Sequence, residues 1–271
     1  MADVKTPTDW RARIFPPHDH LPHDLTTADW LKTLAVILML VDHVGYYLFP
    51  GHEWFRVIGR PGMPIWFFLC GYARHQDIPT RWLGGGLILF VANMAAFMSP
   101  LPLNALFSMA ICRLAVGPLW RLLENRPVYF WWIVFLLLFC GPVADMLFEY
   151  GTFGVMFAAI GYGMRRRAEI APLFSRDPMT PMFILTTTVF VIYEAMHFGF
   201  TTLASSAMAA GFVGIYLALS GFRTATLPGT GDSAHAPLVR FMGRYTLEIY
   251  VIHLLILKAV ILMQALAARL V

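Results

Sequence analysis

The chain has 271 residues, 58% of them apolar and 13% charged, with a formal net charge of +4. A soluble globular domain carries about twice that share of charge, so a water-soluble enzyme is excluded. At about 20 residues per span the apolar content accommodates about nine spans, and the positive surplus fits basic cytoplasmic loops. The expected surroundings are a lipid bilayer, with nucleic acid no partner.

Residues 1–28 read as a flexible cytoplasmic tail and residues 29–271 as one transmembrane domain. The tail lacks the apolar core of a signal peptide and is broken by Pro7, Pro16, Pro17 and Pro22. Its His18, Asp19, His20, His23 and Asp24 have the chemistry of metal ligands, yet nothing around them pre-organises a site. They read as solvated residues, and no metal is expected in the protein. Cys70, Cys112 and Cys140 all fall in apolar runs, which is no disulfide framework.

Nine apolar runs come next, at residues 30–49, 57–73, 82–98, 102–120, 128–147, 150–164, 181–199, 202–222 and 246–267. Gly141, Pro142, Asp145 and Glu149 interrupt the fifth and sixth, which read either as two spans or as one irregular hairpin. With the N-terminus inside, fourteen of the 20 Lys and Arg fall on cytoplasmic segments. Three fall outside, and Lys32, Arg113 and Lys258 lie within spans. That asymmetry satisfies the positive-inside rule and predicts an all-α bundle of about nine transmembrane helices with a cytoplasmic N-terminus.

Ionisable residues at membrane depth are costly and mark sites. Lys32 and His43 in the first span are eleven apart, which puts them within about 20° of each other and about 16 Å apart along a helix. His43 is a candidate general base, the role that an imidazole fills near neutral pH. Asp42 points elsewhere on the helix but can reach the ring from another rotamer or through a neighbour. Arg56 reads as a snorkelling anchor, whereas Arg60, followed by Pro61 and Gly62, can reach into a cavity and stabilise an anion. Arg113 needs a buried acceptor, for which Asp145, Glu149 and Glu194 are the candidates. Glu194 and His197, three apart, read as structural hydrogen bonding or as a second proton-handling site, and His253 in the last span reads as structural.

The blocks TADWLKTLAVILMLVDHVGYYLFP, FRVIGRPGMPIWFFLCGYARH, PLNALFSMAICRL and EYGTFGVMFAAIGYGMRRR resemble, in order and spacing, the TraX family of conjugative pilin acetylases. The Lys32 to His43 spacing and the segment IWFFLCGY are also similar to acyltransferase-3 membrane proteins, as is RFMGRYTLEIYVIHL to their closing helix. This chain has Glu149, Tyr150 and Gly151 where Asp-Tyr-Gly is expected, and Cys70 where the second-helix segment has serine. The resemblance implies an enzyme of the bacterial inner membrane that moves an acyl group, usually acetyl, from cytoplasmic acyl-CoA to an acceptor amine or hydroxyl on a pilin or a glycan. It implies Lys32, Asp42 and His43 as the catalytic set with Arg60 as a partner.

In that reaction His43 takes the acceptor proton or is itself transiently acylated, Asp42 orients or charge-stabilises the ring, and Lys32 and Arg60 bind anionic donor groups or stabilise the anion that develops on the thioester carbonyl. Acetyl-CoA is the expected donor, its phosphates gathered by Arg60, Arg74 and Arg81. Arg113, Asp145, Glu149, Tyr150, Glu194 and His197 are the remaining substrate-binding or structural polar residues. Two other functions fit the same residues: a proton-coupled transporter using Asp42, His43, Glu194 and His197 as a relay, and a subunit of a pilus or secretion apparatus without chemistry.

Overall fold

The computed structural model describes residues 21–270, with side chains to residue 267. Among the described residues, eleven α-helices of seven residues or more carry the fold: α1 Thr27–Leu48, α2 Glu53–Gly59, α3 Gly62–Tyr72, α4 Thr80–Ala95, α5 Ala105–Asn125, α6 Phe130–Asp145, α7 Gly151–Arg165, α8 Met179–Phe198, α9 Thr202–Ser220, α10 Ala236–Arg244 and α11 Thr246–Leu270. Among the described residues there is no strand, only two isolated bridges.

Among the described residues six segments are long and apolar enough to cross a membrane: α1, α5, Pro127–Asp145 containing α6, α8, α9 and Thr246–Ala267 of α11. The other three of the nine expected spans are shorter helices. Residues 57–73 are broken in two because Pro61 has no N–H and its ring obstructs a continuing helix, so α2 stops at Gly59 and α3 starts at Gly62. Residues 82–98 become the 16-residue α4, and residues 150–164 the 15-residue α7. The fifth and sixth spans form a hairpin whose turn Met146–Tyr150 lies against the segment before α5, with Leu103 N–H on the Leu147 carbonyl and Glu149 N–H on the Leu103 carbonyl.

The short α7 is the centre of the bundle, buried continuously from Phe153 to Gly161. Glycines let α3 meet it backbone to backbone, as small residues do at helix crossings in membranes. A Cβ on Gly71 would sit 1.8 Å from the Ala158 carbonyl oxygen, and one on Gly161 would sit 2.1 Å from that of Phe68. Around this crossing Phe67, Phe68, Trp120, Phe130, Phe153, Phe157, Phe190 and Phe212 are wholly buried. The outer surface is apolar as well: Phe139 is 83% and Met196 79% exposed, which water would disfavour and lipid accepts. A smaller cluster joins α1, α4, α5 and α11 through Val36, Met39, Leu89, Leu106, Tyr250, Leu254 and Leu257.

The start of α1 is defined by a capping box in which Thr26 accepts from Asp29 N–H and Asp29 accepts from Thr26 N–H. The tail expected over residues 1–28 is docked in its last part. Arg244 donates to the Pro22 carbonyl, Arg240 to the His23 carbonyl, and Gly231 N–H to Asp24. Leu25 is fully buried with Ala236 and Val239. His18, Asp19 and His20 lie outside the described residues. Cys70, Cys112 and Cys140 are free thiols.

Candidate functional site

Helix α1 carries Asp42 and His43 side by side, and their side chains go to different partners. Nδ1 of His43 is 2.7 Å from Nε2 of His253 on α11, whose own Nδ1 is 2.6 Å from the Ile249 carbonyl oxygen. Asp42 faces α2, where Arg56 Nη1 donates to its Oδ2 at 2.9 Å and Arg60 Nε stands 3.7 Å from its Oδ1. Gly59 makes this approach close, since a Cβ there would fall 2.4 Å from that of Asp42. The neighbour of the His43 ring is therefore His253, in place of the Asp42 that the acyl-transfer reading set there, and Asp42 points elsewhere as its adjacency implied. Successive helical residues diverge by about 100°, and the two histidines come from opposite ends of the chain.

Arg60 completes a buried ionic chain, with Nε 2.8 Å from Glu194 Oε2 on α8. Both arginines lie over the ring of Phe198, with Arg56 4.4 Å and Arg60 5.1 Å from its centroid. Arg60 is also 5.3 Å from the ring of Tyr150. Arg56, read from the sequence as an anchor at the membrane surface, is thus a buried member of the site. Tyr150 adopts a left-handed backbone, φ +67°, at the start of α7, a strained conformation for a bulky residue. Asp145 over-determines it, accepting from Tyr150 N–H at 2.6 Å and from the Tyr193 hydroxyl at 2.7 Å.

Two cavities meet at this cluster. One, of about 350 Å³, runs toward the start of α1 and is lined by Lys32, Trp66, Cys70, Trp82, Arg113 and Tyr250 among others. The second, of about 360 Å³, runs toward the other end of α1, past Tyr47, Arg56, Asn93, Asp145, Glu194, His197 and Lys258. Asp42, His43, Arg60, Glu149 and Tyr150 line both. Lys258 is held in the second by the Tyr47 hydroxyl at 2.7 Å and Asn93 at 2.5 Å. At the far end of the first, a vestibule of about 900 Å³ shares Lys32, Leu69 and Ala73 with it. Its lining contains Lys32, Arg74, Arg165, Arg167 and Arg223 and no carboxylate.

Twelve residues were expected at the site, and most converge. Lys32, Asp42, His43, Arg60, Arg113, Glu149 and Tyr150 line the first cavity, Asp145, Glu194 and His197 the second, and Arg74 the vestibule. Arg81 lines none of these spaces and donates to Glu248. The acceptors of Arg113 are none of the three carboxylates expected: its guanidinium donates to the carbonyls of His75 and Asp77 in the loop after α3. Glu194 pairs with Arg60 and not with His197. Arg56, Arg223, His253 and Lys258 were missed as functional residues. For the last two a signal existed, because Tyr250, His253, Leu254 and Lys258 follow a helical i, i+3, i+4, i+8 stripe. Among the described residues no group of three His, Cys, Asp or Glu side chains is gathered as a metal ion would need.

Six lipid-length helices around a buried histidine, arginine and carboxylate cluster define an integral membrane protein with a polar site at the depth of the bundle. The chain belongs to the TraX family: the profile described as "TraX protein" matches residues 27–261. It is 42% identical over 80 residues to an uncharacterized protein of Rickettsia prowazekii, covering 30% of this chain and 32% of that one. It is 26% identical over 159 residues to Protein TraX of Escherichia coli, covering 53% of this chain and 58% of that one. The match thus spans about a third of the first relative and somewhat over half of the second. No solved structure matches the chain.

Proposed function

We propose that the protein is an acyltransferase of the bacterial inner membrane that moves an acetyl group from cytoplasmic acetyl-CoA to an amine or hydroxyl, a pilin N-terminus being the acceptor that the family suggests. One observation carries this reading: His43 lies at the junction of two cavities extending toward opposite ends of α1, one of which adjoins a vestibule lined by five cations. Two substrates entering from opposite sides of a membrane need such a meeting point, and the phosphates of CoA need such a vestibule. With the N-terminus cytoplasmic, Lys32, Arg74, Arg165, Arg167 and Arg223 hold the phosphates, and the pantetheine arm passes along the first cavity to His43.

The acceptor arrives through the cavity lined by Lys258 and His197. His43 takes its proton as its nitrogen or oxygen bonds the thioester carbonyl carbon. The C–S bond then breaks, and the sulfur leaves as the CoA thiol with the proton that His43 returns. Arg60 offsets the negative charge on the carbonyl oxygen, while Lys32, at the other end of the first cavity, stays with the phosphates. Asp42 acts through the arginines, holding Arg56 and Arg60 beside the histidine. Asp42 Oδ1 is buried without a hydrogen-bond partner among the described residues, Arg60 Nε standing 3.7 Å away, as a group that a polar substrate would satisfy.

The test is thermal unfolding of detergent-solubilised protein with acetyl-CoA, desulfo-CoA and adenosine, alongside CoA release by wild type and His43→Ala. Stabilisation by both CoA compounds but not by adenosine is expected, since a ligand bound only to the folded state raises its stability. His43→Ala should keep that stabilisation and lose about 10²–10⁴-fold in turnover. No shift at saturating donor, with solute flux into liposomes in its place, would sink the reading in favour of a transporter.

A further inference from the structure

The contact between His43 and His253 is a hydrogen bond in the plane of both rings. The ring planes are inclined by only 15° with centroids 4.9 Å apart. The 2.7 Å between the two nitrogens is shorter than the about 3.5 Å at which stacked atoms rest. The rings therefore meet edge to edge, nitrogen to nitrogen, nearly coplanar, which is the direction in which an imidazole lone pair points.

A carbonyl oxygen only accepts, so the His253 Nδ1 that lies 2.6 Å from the Ile249 carbonyl carries a proton. In neutral His253 the other nitrogen, Nε2, is then a bare lone pair, and the proton between the two rings belongs to His43 Nδ1. Neither ring has a carboxylate in ion-pair contact among the described residues, and a buried cation without one is costly, which favours the neutral pair. The chain of bonds from the Ile249 carbonyl through His253 to His43 ends on His43 Nε2, unprotonated. His43 lines both cavities and His253 lines neither. Tyr250 walls both rings, its centroid 6.0 Å from that of His43 and 5.9 Å from that of His253.

We propose that His253 is the positioning residue of the site: it accepts the His43 Nδ1 proton, holds His43 in that tautomer and presents the Nε2 lone pair to the cavities as the base. This rests on the reading of His43 as the proton acceptor. When Nε2 takes the acceptor's proton, the imidazolium keeps its Nδ1–H on His253, and the ring does not turn between taking the proton and returning it. A neutral histidine here does for orientation what a carboxylate does in a serine-protease triad, while Asp42 is engaged by the arginines.

The experiment is nitrogen NMR of histidine-labelled protein in lipid nanodiscs, with the His43 signals assigned by loss in His43→Ala. Wild type should show His43 protonated on Nδ1. In His253→Ala it should revert to the Nε2–H form that free imidazole side chains prefer, and acetyl-CoA turnover should fall about 10²–10³-fold with KM for acetyl-CoA within about twofold. His253→Gln, whose amide oxygen accepts at the same place, should restore the Nδ1–H form and most of the rate, and His253→Phe, which fills the space without accepting, should restore neither. An Nε2–H signal in wild type, or full turnover in His253→Ala, would overturn the proposal. Full turnover in His43→Ala with an Nδ1–H signal in wild type would overturn the role of His43 as base and leave the tautomer assignment standing.

Discussion

Two helix contacts of this protein are built from opposite materials. Where α3 crosses α7, Gly71 and Gly161 bring the two backbones together and wholly buried phenylalanines surround them. Where α1 faces α2 and α11, the contacts are made by an aspartate, two arginines and two histidines, and cavities open on both sides. The first contact leaves no room for an added methyl group, so it sets the positions of the helices; the second spends stability on charges and empty space. Inside a bilayer, apolar side chains gain nothing by leaving lipid for protein, and close backbone approach holds helices instead. The rigid crossing can therefore support a polar site that would not hold itself in place.

The contrast can be broken from either side. Gly71→Val should have the largest effect, since its side chain would overlap the Ala158 carbonyl and well-filled interiors tolerate extra methyls poorly. Loss of monodisperse protein on size exclusion is the expected result, and a folded Gly71→Val protein would contradict the close crossing. Arg60→Met attacks the polar side by leaving Glu194 buried without its cation. Such uncompensated charges cost about 3–5 kcal/mol, to be read from unfolding in detergent as a lowered Tm.

Smaller effects sharpen the comparison. Replacing Arg74 and Arg223 with alanine together should raise KM for acetyl-CoA about tenfold, the loss of a charge-assisted contact or two. The melting temperature should stay unchanged, because both residues are exposed. Gly214→Ala on α9 is the counterpart of Gly71→Val: a Cβ there meets nothing within 4 Å. It should stabilise the helix by about 0.5–1 kcal/mol, and destabilisation would mean that α9 meets a partner at that face.

Particular residues show how far local pattern reaches. Six apolar segments could be found because a helix in lipid must be continuously apolar for about 20 residues, and all six were among the nine expected. The remaining three form helices shorter than that length: α7 has the composition of a span, but it is 15 residues long and surrounded by other helices. The Lys32 and His43 alignment was legible because it depends only on helical period, and both line the first cavity. The partner of His43 was not, since His253 lies 210 residues away and nothing local to either histidine names the other. The acceptors of Arg113 were hidden for a different reason: they are loop carbonyls, which every residue possesses and no sequence pattern marks.

By itself, the sequence determined the features that composition and local period dictate: a membrane-embedded helical chain and a first helix with lysine and histidine on one face. Only the tertiary structure decided that Asp42 serves the arginines while His253 serves His43, and that two cavities converge on the histidine. Side-chain pairing across a bundle depends on which helices become neighbours and at what depth, and that depends on close approaches such as Gly59 on Asp42 and Gly71 on Ala158. Those are properties of the whole fold, set by the sum of many weak contacts.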